Sequence, residues 1–72
     1  MNIDIMREKI KEKQGEVLHF KFNGSRNQVE EFKGEIIKTY PAIFLIRLED
    51  NTNKIKSFSY SDLVTESLEI IH

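Results

Sequence analysis

The sequence predicts a mainly β protein, an N-terminal helix followed by a small five-stranded barrel. Three observations predict it. Near Glu16 the apolar period changes from the three-to-four spacing of a helix to the two-residue alternation of a strand. Five short apolar or alternating runs then follow, each bounded by turn-forming residues. With 72 residues there are too few helices to cover both faces of a five-stranded sheet, so curling onto itself is the available way to bury an apolar face. An open antiparallel sheet with the helix across one face is the alternative. The chain reads as one domain, helix over 1–14 and barrel over 16–71, without internal repeats, linkers or low-complexity segments.

Each element has its own warrant. Over 1–14, Ile3, Met6 and Ile10 share one helical face. Asn2 or Asp4 can cap its start, Lys9, Lys11 and Lys13 lie toward the negative end of its dipole, and Gly15 can stop it. From 16, Leu18, Phe20 and Phe22 alternate with Val17, His19 and Lys21, and Asn23-Gly24 then turns the chain. A longer strand over 29–40 places Phe32, Gly34, Ile36 and Tyr40 on one parity, with a bend or bulge expected at Gly34. Pro41 turns the chain into the most apolar strand, 43–49, with Phe44, Ile46 and Leu48 inward. A polar loop over 50–53 leads to a fourth strand, 54–60, whose parity slips between Ile55 and Phe58. Residues 61–64 suit one 3₁₀ turn, and 65–71 close the chain as a fifth strand.

Composition narrows function by exclusion. A chain of this length buries only roughly 60% of its unfolded surface, so a deep catalytic pocket is not expected, and an enzyme is not expected either. With no cysteine, disulfides, thiolate zinc sites and cysteine nucleophiles are ruled out. Eleven basic against twelve acidic residues give a formal net charge of −1, whereas a tight sequence-blind nucleic-acid binder carries a positive excess. No apolar run approaches the ~18 residues of a membrane span, and the acidic start lacks the apolar core of a signal peptide. The expectation is a cytoplasmic protein with no membrane partner and no cofactor.

The reactive residue types form no catalytic or metal set. His19 and His72 have no ligand-like spacing, so no metal site is expected. Ser61, His19 and Asp62 could be assembled into a nucleophilic trio, but the chain has no G-x-S-x-G elbow to present one. Glu30-Glu31 and Glu49-Asp50 are paired carboxylates whose neighbours point to opposite strand faces and solvate the surface. Ser59-x-x-Asp62 has the form of a capping box, which makes Asp62 a structural cap. Lys9, Lys11, Lys13, Lys21, Arg26 and Lys33 make only a weak basic side, because residues 1–33 hold seven basic and six acidic groups.

Four blocks of residues carry a family resemblance. They are Asn23-Gly24-x-Arg26, then Gly34-Glu35-Ile36, then Thr39-Tyr40-Pro41-x-x-Phe44-x-Ile46-x-Leu48, then Ser59-Tyr60-Ser61-Asp62-x-x-Thr65-Glu66 with the Leu68-Glu69-Ile70 tail. In this order and spacing, over about 15–71, the chain resembles the Veg family of small bacterial proteins. The resemblance implies a barrel of the Src-homology-3-like or Sm type. It also implies a regulatory role in Gram-positive and related bacteria, stimulating biofilm formation through transcriptional control. The loop Ser25-Arg26-Asn27-Gln28 departs from the family pattern, which has several basic residues there, and this argues against a nucleic-acid role for it.

Two functional readings follow. The first is a non-catalytic interaction module that binds a protein partner, such as a transcription regulator; a homodimer is also compatible with exposed strand edges. The second is an Sm-like barrel that binds single-stranded RNA. In Sm-type barrels the connections carrying Tyr40 and Tyr60 approach one another, and an aromatic ring there can stack on a base. Against this, the turns read Pro41-Ala42 and Ser61-Asp62 and lack the polar Sm nucleotide set. Alternatively, each ring closes a barrel mouth with its hydroxyl on backbone. The candidate partner-binding residues are Arg26, Tyr40 and Tyr60, which join apolar area to directed hydrogen bonding.

Overall fold

The computed structural model describes residues 2–24, 28–50 and 52–71. It shows α1 (Ile3–Glu12), β1 (Val17–Asn23), β2 (Val29–Thr39), β3 (Ile43–Leu48), β4 (Ile55–Ser59), α2 (Tyr60–Val64) and β5 (Leu68–Ile71). The strands form one antiparallel sheet in the order β4-β3-β2-β1-β5. The protein is therefore mainly β, a helix followed by five strands, as the sequence predicts.

The sheet curls without closing. Its edge strands, β4 and β5, do not pair with each other. Three inter-strand spacings separate β1 from β4, about 14 Å in a flat sheet. Yet the rings of Phe22 and Phe58 lie 5.6 Å apart. The sheet has folded over its own inner face, and α2 bridges the gap by packing on both β4 and β5.

The curl is built into β2. Its first part, Val29 to Glu35, pairs with β1, and its last part, Gly34 to Thr39, pairs with β3. Only Gly34 and Glu35 serve both neighbours. A Cβ at Gly34 would overlap Ile46 Cγ2 and lie 3.1 Å from the Arg47 carbonyl oxygen, so the bare backbone lets β2 and β3 close up. The bulge itself lies further on, between Ile36 and Lys38. It changes the expected parity: Thr39 pairs with the inward Phe44, and Tyr40 turns outward.

Several local expectations are corrected. Asn2 does cap α1, its Oδ1 accepting the Asp4 N–H at 2.8 Å, but Ile3 is 40% exposed while Met6 and Ile10 are buried. The packing face starts one turn later than the apolar spacing suggested. In β4 the parity does not slip: Phe58 points in, and Ile55 is an outward apolar residue, 57% exposed. The short helix is α-helical and begins at Tyr60, because Ser59 and Asp62 form a reciprocal capping box at 3.3 and 3.1 Å.

The core is a single apolar cluster. Ile10, Phe20, Ile36, Phe44, Ile46, Leu68 and Tyr60 are its most buried members, and Ile10 roofs it from α1 together with Met6. Phe20, Phe32 and Phe58 stack in series at centroid separations of 5.6 and 6.0 Å. Phe44 joins that stack to Tyr60 at 5.3 Å.

Candidate functional site

The two tyrosines meet, but in different roles. Tyr60 is only 1% exposed, and its hydroxyl donates to the Tyr40 carbonyl at 2.8 Å. Burial pushes its pKa above the ordinary tyrosine value, while the nearby Arg7 charge pulls the other way. Tyr40 is 43% exposed at the outer end of β2. Tyr60 therefore offers no ring face to a partner, and Tyr40 does. Arg26 lies outside the described residues.

The turn that carries Tyr40 is held at every carbonyl. The Tyr60 hydroxyl binds the Tyr40 oxygen, Arg7 Nε donates to the Pro41 oxygen at 2.9 Å, and the Tyr60 N–H donates to the Ala42 oxygen at 3.4 Å. Within the turn, the Tyr40 N–H donates to the Ile43 oxygen at 2.8 Å. Pro41 fixes its own φ and has no N–H to satisfy. Two helices thus clamp a loop of the sheet, and an exposed aromatic ring is displayed on rigid backbone.

Arg7 was not among the residues singled out from sequence. Its Nη1 also donates to Asp4 Oδ1 at 2.8 Å, and its guanidinium lies 5.6 Å from the Tyr60 ring centroid. The readable signals were the i, i+3 pair with Asp4 and a place beside Met6 on the buried face. Lys11 follows one turn later, and Lys38 Nζ stands 6.0 Å from the Tyr40 ring centroid. Arg7, Lys11, Thr39, Tyr40, Pro41 and Tyr60 line an open cleft of about 360 Å³.

Elsewhere the candidate groups have structural occupations. His19 Nε2 meets Glu31 at 3.1 Å, Lys56 meets Glu30 at 3.0 Å and Arg47 meets Glu35 at 2.9 Å, all with solvent access. His19 and Asp62 are engaged separately, the one with Glu31 and the other in the helix cap, so the trio with Ser61 forms no relay. Asp50 accepts from the Thr52 hydroxyl and N–H, which lowers its pKa. Lys21 and Lys33 sit on the outer face of β1 and β2, apart from the lysines of α1. Among the described residues, no three His, Asp or Glu side chains converge as a metal site. No helix among those residues is long and apolar enough to cross a membrane.

A curled sheet roofed by a helix, with an outward aromatic ring on a clamped turn and cations of α1 and β2 beside it, defines a small helix-capped β protein. The chain matches the family described as biofilm formation stimulator VEG over residues 1–71, and it belongs to that family. No curated protein matches it.

Proposed function

We propose that this VEG-family chain is a non-catalytic, cytoplasmic interaction module that influences transcriptional control by binding a protein partner. One observation carries the proposal: Tyr40 is exposed on a turn whose three successive carbonyls are tied to Tyr60 and Arg7. A ring held this way loses little conformational freedom on docking, and preorganisation of that kind favours affinity. Tyrosine and arginine are also the side chains that dominate measured binding hot spots.

RNA is the competing ligand, and salt separates the two. A phosphate-contacting protein loses affinity steeply between ~50 and 200 mM salt, and a mainly apolar protein contact does not. The test is affinity capture from cell lysate with the full chain and with Tyr40→Ser, each with and without nuclease. A protein retained after nuclease by the parent and lost by Tyr40→Ser supports the proposal. Loss of all captured material on nuclease treatment overturns it in favour of RNA.

A further inference from the structure

We infer that the cleft between α1 and the β2–β3 turn receives an acidic segment of the partner protein, with an aromatic or apolar side chain placed on Tyr40. The inference rests on the reading above and adds the chemistry of the partner.

Cations gather at the cleft and beside its exposed ring: Arg7 and Lys11 line the cleft, and Lys38 stands over Tyr40. Arg7 has five N–H donors. Pro41 O takes one and Asp4 Oδ1 a second, so three have no protein partner among the described residues. Lys11 and Lys38 form no ion pair with any described carboxylate. Among the described residues Asp4 is the one carboxylate engaged with the group, and its pairing is with Arg7. A chain of net charge −1 thus gathers three cations around one exposed ring and a proline. Carboxylates complement the cations, and a neighbouring apolar side chain complements the ring.

Two features favour a short acidic peptide over a nucleic acid. Tyr40 is a lone exposed ring already faced by Lys38, whereas single strands are held on successive stacking platforms. Along α1, Glu8 and Glu12 are exposed and line a separate depression with Asp4 and Ile5, so an extended polyanion running along the helix meets negative charge. A few carboxylates confined to the cleft escape that repulsion.

Fluorescence anisotropy of the full chain tests this with three labelled probes. They are a short Glu/Asp-rich peptide with one central Phe, its Lys/Arg-rich counterpart, and an oligouridine of similar length. The acidic peptide is expected to bind tightest. Lys11→Glu and Lys38→Glu should each weaken it by ~10-fold or more, with the neutral Lys11→Gln and Lys38→Gln in between and all four melting like the parent. Equal or tighter binding of the basic peptide or the oligouridine overturns the inference, as does no binding of the acidic probe. Sedimentation showing a dimer that Lys11→Glu dissolves also overturns it, because the occupant is then a second copy. If the acidic probe fails while Tyr40→Ser still loses a captured protein, the inference falls and the partner-binding reading stands. If Tyr40→Ser retains that protein, the reading itself falls.

Discussion

Tyr40 and Tyr60 sit at opposite ends of one 2.8 Å hydrogen bond, yet one is displayed and the other is buried. Residue type does not separate them, and neither does position, since both stand where a strand ends. What separates them is the strand behind each. β4 alternates without interruption, so Tyr60 continues the inward parity of Phe58 and meets the roof formed by Met6 and Ile10. β2 is interrupted by its bulge, so the parity that would have carried Tyr40 inward is reversed after Ile36. One inserted residue decides which tyrosine is structural and which is available.

Tyr60→Ala breaks the comparison most severely. It empties the space of a ring that is 1% exposed and removes the donor to the Tyr40 carbonyl, whereas the bulge keeps Tyr40 itself out of that core. Truncating a buried aromatic side chain costs about 4 kcal/mol, most of the ~5 kcal/mol a small domain has in reserve. We expect no cooperative unfolding transition by circular dichroism; a parent-like melt would show that Tyr60 is not structural.

The same bulge marks the limit of what the sequence discloses. Alternation reveals where strands run and which faces are apolar, because it reflects the two-residue period of the backbone. Phe20, Phe44 and Ile46 were legible for that reason, as was the Ser59–Asp62 cap. This bulge, between Ile36 and Lys38, carries no residue of special type. Gly34, the one visible irregularity in β2, marks the close approach to Ile46 instead. Arg7 was missed because its role depends on the β2–β3 turn reaching α1, a contact across 34 positions. Tyr40 was readable as a candidate, whereas the burial of Tyr60 required the position of α1.

Gly34→Val strikes the strand that serves both regions. The new side chain collides with Ile46, which is fully buried, and with the backbone of Arg47. Overpacking of this kind costs about 3 kcal/mol. Urea unfolding should show the midpoint falling with little change in slope. A midpoint equal to the parent's would mean that β2 and β3 can separate at no cost.

Tyr60→Phe sharpens the comparison at a smaller scale. The ring still packs on Phe44, but the Tyr40 carbonyl loses its donor, an expected loss of about 1 kcal/mol. The variant also carries a pH signature. The folded-state pKa of Tyr60 lies above its ordinary 10.0, so between those two values the folded state holds a proton that the unfolded state has released. Stability is thus fully present below pH 10.0 and falls as pH rises through the folded value. Parent and variant melting curves should converge above that pH. A constant gap would place the hydroxyl in a site no less solvated than the unfolded chain.

Tyr40→Ser is expected to change stability least. The ring is exposed, and the bonds that clamp its turn belong to backbone atoms, which serine also supplies. Surface changes of this sort stay within about 0.5 kcal/mol, so the melting temperature should move by no more than a few degrees. Partner capture should nevertheless fall by ~10-fold, about 1.4 kcal/mol of binding energy. This opposition of a quiet melt and a large binding loss is what distinguishes a displayed ring from a structural one. Tyr60→Phe should give the reverse, a measurable loss of stability with capture preserved under conditions where the variant stays folded. If Tyr40→Ser instead melts well below the parent, the ring is part of the turn's own packing. The division between the two tyrosines would then be one of degree, and the surface around Arg7, Lys11 and Lys38 would have to act without it.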